Sequence, residues 1–141
     1  MNKTGPILIV DDDEDDQVLL QLVFNKLAYP NKLLFFAHGQ AALDFLRQTD
    51  ELPLLILSDM NMPGVNGLEL GQQIQQDARL RSRCTPLLFF TTGSTQNEVE
   101  QACRLSPQGF FVKPASIDEL ERMMALIVSY WTASLTPSKL N

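Results

Sequence analysis

Ile7-Leu8-Ile9-Val10-Asp11-Asp12-Asp13-Glu14-Asp15-Asp16 is an apolar run halted by six successive acids. A short apolar run with no polar alternation suits a strand buried on both faces, as in a parallel sheet. The acids cannot enter such a sheet, so they mark its carboxyl end. The same pattern recurs. Pro6–Val10, Leu33–Ala37, Pro53–Ser58, Pro86–Thr91 and Gly109–Val112 are short apolar runs, each bounded by Gly, Pro, Asn, Asp or a charged residue. Between them, apolar residues return at helical spacing. The first set is Val18, Leu19, Leu22, Val23 and Leu27, followed by Ala41, Ala42, Phe45 and Leu46. Leu68, Leu70 and Ile74 come next, then Val99, Ala102 and Cys103, and last Leu120, Met123, Met124, Ile127, Val128 and Trp131. Five strands and five helices in strict alternation predict an α/β fold, doubly wound as (βα)5 around a five-stranded parallel sheet with right-handed crossovers. Ser116, with Glu119 three residues later, reads as the capping box of the last helix.

Composition narrows the function. The chain has 141 residues, 45% of them hydrophobic, with a formal net charge of −6. That length corresponds to one domain with an ordinary globular balance. The expected domain spans 1–131, with 132–141 as a short polar tail and no output domain. A sequence pI of about 4.6 argues against nucleic acid or an anionic membrane as partner, because both require a basic footprint. No apolar run approaches the roughly 18–20 residues of a membrane span. The run behind Lys3 is too short for a signal peptide, so the expected location is cytoplasmic. Cys84 and Cys103 lack neighbours at metal or disulfide spacing. The single His38 has no nucleophile partner at a motif position.

In doubly wound sheets, ligands bind beyond the carboxyl ends of the strands. The first strand is followed by Asp11 and Asp12, and the third by Asp59 and then Met60-Asn61-Met62-Pro63-Gly64. The fourth runs into Thr91-Thr92-Gly93-Ser94, and the fifth into Lys113-Pro114. Clustered carboxylates repel unless a cation sits among them. Magnesium takes oxygen ligands and commonly combines one or two carboxylates with phosphate oxygens. An aspartate can accept a phosphoryl group as an acyl phosphate, and a lysine and a hydroxyl would steady the phosphoryl oxygens. Each residue alone has a plainer reading: Asp59 as a turn cap, Thr91 as a strand-end hydroxyl, Lys113 as an exposed turn. Glu14, Asp15 and Asp16 read as the acidic first turn of a helix.

These blocks resemble the receiver domain of two-component response regulators. The resemblance rests on Ile7–Asp12, Leu55–Leu70, Pro86–Thr91 and Gly109–Pro114, four blocks in order that place roughly residues 5–131 in the family, with its flavodoxin-like (CheY-like) receiver fold. It implies that Asp59 is the phosphoacceptor, served by a sensor histidine kinase or a histidine phosphotransfer protein. It implies that Asp11, Asp12 and Asp59 hold Mg2+ together with the backbone carbonyl of Asn61. Thr91 would be the switch hydroxyl, Phe110 the switch aromatic and Lys113 the partner of the phosphoryl oxygens. The Lys113–Pro114 bond is cis in the family. Thr92 stands where many relatives carry a smaller residue, Gly93 offers no side chain to shield the acyl phosphate, and Asp13 adds a third acid beside the metal pair.

Gly39-Gln-Ala-Ala-Leu-Asp-Phe-Leu46, Phe89–Ser94 and Ile127–Trp131 are similar to the single-domain regulators associated with phytochrome-type kinases. That group implies a homodimer through the fourth helix, fifth strand and fifth helix, with Met123, Met124, Ile127, Tyr130 and Trp131 as candidates. The plainer reading is that most of these cover the sheet. A downstream protein target is implied, and enzymatic turnover is not, beyond self-catalysed phosphorylation and autodephosphorylation. Competing readings fit less well. A haloacid-dehalogenase-type phosphatase would use Asp11 and Asp13 but lacks the following hydroxyl and the later acidic pair. A calcium loop from Asp11 would need Gly at Asp16 and Glu at Leu22. A phosphorylation-independent pseudo-receiver is the main alternative, and it sits poorly with the presence of Asp59, Thr91 and Lys113 together.

Overall fold

The computed structural model describes residues 5–92, 96–105 and 107–134. Five strands, β1 (Ile7–Val10), β2 (Leu33–Phe36), β3 (Leu55–Ser58), β4 (Leu87–Thr91) and β5 (Gly109–Val112), form one parallel sheet in the order β2-β1-β3-β4-β5. Every expected strand is present, one or two residues shorter at some ends. Strand order reverses at β1, which lies between β2 and β3. A doubly wound sheet opens its ligand crevice at such a point.

The side chains of the three inner strands alternate between two cores. Ile7, Ile9, Leu55, Leu57, Leu88 and Phe90 face one layer, formed by α1 (Glu14–Leu27) and the last helix, Ile117–Ala133. Leu8, Val10, Ile56, Leu87 and Phe89 face the other layer. That second layer consists of α2 (Gly39–Gln48), α3 (Gly67–Gln76), α4 (Ala78–Arg83) and α5 (Gln96–Arg104), which makes the last helix α6. Burying each large aliphatic side chain contributes about 1.5–3 kcal/mol. The inner strands are buried on both faces, as their unbroken apolar runs require. The edge strands β2 and β5 are only half-buried.

Two expectations need correction. The alternation predicts five helices, and the described residues form six. Asp77, in extended backbone, ends α3 through its N–H to Gln73 and Ile74 and starts α4 by accepting from Arg79 and Leu80. With Leu80 as its one buried residue, α4 leaves no apolar period to read. In α1 the buried face is Leu20, Val23 and Phe24, with Leu27 packed against it. Val18, Leu19 and Leu22, read as part of the apolar stripe, are 59%, 40% and 53% exposed. Leu20 to Leu27 already satisfies the i, i+3, i+4, i+7 pattern, so the others turn outward. Helix α6 begins as expected, with the Ser116 hydroxyl accepting from Glu119 N–H at 3.1 Å.

Candidate functional site at the carboxyl edge of the sheet

Register places the site. Val10 and Ser58 are partners across β1 and β3, so the residues after them, Asp11 and Asp59, emerge side by side. Asp59 N–H donates to the Val10 carbonyl at 2.9 Å, which ties the two strand ends together. Thr91 is paired with Val112, and Lys113 N–H donates to the Thr91 carbonyl at 2.7 Å. Strand pairing therefore delivers all four strand-end residues to one crevice. Asp59 Oδ1 accepts from Asn61 N–H at 3.1 Å, and Asp11 Oδ1 accepts from Asp13 N–H at 2.9 Å. Those bonds turn the other carboxylate oxygens toward the crevice.

Lys113 fills it. Its Nζ donates to Asp16 Oδ2 at 2.5 Å, Asp11 Oδ2 at 2.9 Å and Asp59 Oδ2 at 3.1 Å. The ammonium also lies 5.6 Å from the centre of the Phe90 ring. The lysine side chain is 8% exposed. Burial alone would lower its pKa. The hydrogen bonds to Asp16 and Asp11 and the charges of Asp11 and Asp59 outweigh burial and raise it, so the side chain stays cationic. Burial pushes the Asp11 carboxyl up to about 6, against the opposing pull of Lys113. One ammonium faces three carboxylates, and an excess of negative charge remains. Oxygens of Asp11, Asp16 and Asp59 lie within 4.8 Å of one another. Such an all-oxygen donor set suits a hard divalent cation.

Thr91 is 1% exposed at the end of β4. Phe110, half-buried on β5, packs edge-on against Phe89 with ring centres 6.1 Å apart. Asp12 and Asn61 are exposed at the rim, with Asn61 tied to Asp59 through its N–H. Sequence reasoning missed Asp16, which it assigned to a helix start. It is that, bonding Asp13 through its N–H, and it is also the shortest contact of Lys113. Among the described residues every peptide bond is trans, so the Lys113–Pro114 bond is not cis, in keeping with the intrinsic trans preference of about 0.5–1 kcal/mol at X-Pro. Gly93, Ser94 and most of the tail lie outside the described residues.

The Response regulator receiver domain family matches residues 7–125. The chain belongs to the response regulator receiver domains. Response regulator Rcp1 of Synechocystis sp. is 30% identical over 140 residues, covering 96% of this chain and 94% of Rcp1. Sporulation initiation phosphotransferase F of Bacillus subtilis is 34% identical over 115 residues, covering 81% of this chain and 86% of that protein. The crystal structure of the Mn2+-bound form of Rcp1 superposes with a TM-score of 0.79 at 28% identity, covering 94% of this chain and 97% of that one.

Receiver domains accept phosphoryl groups from histidine kinases or phosphotransfer proteins, and this receiver carries the acidic cluster. Among the described residues no helix is long and apolar enough to cross a membrane. Of the α6 residues named as dimer candidates, Met124 and Ile127 are in the core, Met123 and Trp131 pack partly against it, and Tyr130 is 63% exposed.

The loop after Asp59 depends on one glycine. A Cβ on Gly67 would stand 2.3 Å from the Asp59 carbonyl oxygen and 2.9 Å from Met60 Cα, both backbone atoms. Alanine has the better helix propensity by about 1 kcal/mol. Gly67→Ala is nevertheless expected to destabilise the receiver by about 1–3 kcal/mol, as overpacking does. Urea unfolding at neutral pH checks this, and a neutral or stabilising result contradicts the close approach.

Proposed function

We propose that this receiver is a phosphorylation switch. Asp59 accepts the phosphoryl group from a histidine kinase or histidine phosphotransfer protein, with Mg2+ as the cation. The observation that carries the reading is the convergence of Lys113 on Asp59 and Asp11. An ammonium at the acceptor carboxylate can pair with a phosphoryl group placed on it. Asp11, Asp12, Asp59 and the Asn61 carbonyl would hold Mg2+, which leaves Asp16 to Lys113. The bound ion would screen charge between the acceptor and an anionic donor.

A carboxylate oxygen of Asp59 attacks phosphorus, the bond to the donor's histidine nitrogen breaks, and that nitrogen leaves with the bonding pair. Lys113 pairs with the transferred oxygens, and the Thr91 hydroxyl moves to donate to one of them. Phe110 follows into the space that Thr91 vacates. The face made by α5, β5 and α6 then changes, biased by the new contacts. That face holds an open cleft of about 460 Å³, lined by Phe111, Leu126, Tyr130 and Trp131 among others. Val18, Leu19 and Leu22, exposed on the helix that starts at the acidic loop, offer an apolar surface for a phosphodonor protein. The phosphoryl transfer and later hydrolysis are self-catalysed single events.

Trp131 is the only tryptophan and stacks edge-on against Tyr130 at 4.9 Å, so it reports on that face. Beryllofluoride with Mg2+ is expected to change its emission in the wild type and to leave Thr91→Ala unresponsive. An unchanged spectrum in wild type shown to bind beryllofluoride contradicts the switch.

Metal affinity should also depend on pH with a definite sign. A ligating carboxylate must shed its proton, and burial pushes the Asp11 carboxyl up to about 6. Apparent Mg2+ affinity is therefore expected to be flat above about pH 7 and to fall by up to about tenfold per pH unit below about pH 6. Calorimetric titration across that range checks it, and constant affinity down to about pH 5 contradicts Asp11 as a ligand.

A further inference from the structure

We propose that Asp16 is a positioning residue for Lys113, holding the ammonium over Asp59 while Asp11 and Asp59 are engaged elsewhere. This rests on the phosphorylation reading above. An ammonium has three donor protons, and here three carboxylates take them, at 2.5 Å for Asp16, 2.9 Å for Asp11 and 3.1 Å for Asp59. The proposed chemistry claims two of the three, because Asp11 turns to the metal and Asp59 to metal and phosphoryl. Asp16 is the partner that neither needs.

Its own placement is fixed. It lies in the first turn of α1, with its N–H on the Asp13 carboxylate that caps the helix. Its side chain is 23% exposed, against 3% for Asp11 and 11% for Asp59. It therefore sits at the mouth of the crevice, outside the two more buried carboxylates. Without it, a lysine released from Asp11 and Asp59 has four rotatable bonds and open solvent beside it.

The sign of the effect separates positioning from simple charge. Removing a negative charge beside an anionic donor would by itself speed acceptance. Loss of positioning slows it, since small misplacements at a reacting centre are costly. The test measures initial phosphorylation by acetyl phosphate at saturating Mg2+, read by intact mass. Asp16→Asn is expected to be slower by roughly fivefold or more, and Asp16→Glu to recover most of the rate. The exposed neighbour variant Asp15→Asn makes the same charge change and is expected not to slow. In a Lys113→Ala background, Asp16→Asn should produce no further slowing.

A phosphorylatable wild type with an equal or faster Asp16→Asn variant overturns the proposal. Equal slowing in the Lys113→Ala background overturns it as well. The Lys113 ammonium resonance, observed by nitrogen-edited NMR with Mg2+ present, gives a reading independent of phosphorylation. It should be protected from exchange in the wild type and lost in Asp16→Asn. If the wild type neither takes a phosphoryl group nor binds beryllofluoride, the phosphorylation reading fails. Continued protection in Asp16→Asn would separately overturn the role of Asp16.

Discussion

Lys113→Ala is expected to cost the metal-free protein roughly 3–5 kcal/mol, because removing one partner of a buried ion cluster leaves the other charges uncompensated. Three carboxylates would then face one another, two of them with side chains only 3% and 11% exposed. The loss should depend on pH in a definite direction. Asp11 is already pushed up to about 6 by burial, and without the lysine it rises further. A carboxyl whose folded pKa lies above its unfolded value binds more protons in the folded state. The variant should therefore regain stability as pH falls from neutrality through that raised pKa, and lose it again as pH rises. Millimolar Mg2+ should restore part of the loss at neutral pH by replacing the missing cation. Urea unfolding at neutral and mildly acidic pH, with and without Mg2+, checks all three effects. A variant as stable as the wild type at neutral pH would mean that the ion cluster is not formed in solution. With Mg2+ present, the variant should still accept some phosphoryl but fail to switch, as Trp131 emission would show.

Asp59→Asn is expected to separate chemistry from stability. An amide oxygen is too weak a nucleophile to form the acyl phosphate, so acceptance from any donor should be abolished. Removing one of three carboxylates around a single ammonium relieves repulsion, and the metal-free fold should gain about 1 kcal/mol, the scale of one close charge contact near a protein surface. Loss of acceptance through misfolding would instead lower stability. Measuring both properties on one sample therefore distinguishes the explanations. Residual acceptance in Asp59→Asn would point to another acceptor.

How much of this the sequence carried depends on geometry. Asp11, Asp59, Thr91 and Lys113 were legible because each directly follows or ends an apolar run, and parallel pairing carries strand ends to one edge. The two-layer core was legible for the same reason. Asp16 was not. It is one acid among six in a row, and its contact with Lys113 spans 97 positions, so only the closed sheet reveals it. Helix α4 was hidden because a six-residue helix with one buried leucine has no period to detect. The outward face of α1 was misread because Val18, Leu19 and Leu22 fit a helical stripe as well as the residues that are buried. Periodicity reports that a face exists, and packing decides which face it is.

Asp59 is expected to accept a phosphoryl group with the help of a divalent cation. The most direct test incubates the protein with acetyl phosphate and Mg2+ and follows intact mass, with and without EDTA, beside Asp59→Asn. The expected result is a gain of one phosphoryl group that requires Mg2+ and is absent from the variant. No gain in folded, metal-loaded wild type, combined with failure to bind beryllofluoride, would contradict the phosphorylation switch and leave a binding module that works without phosphorylation.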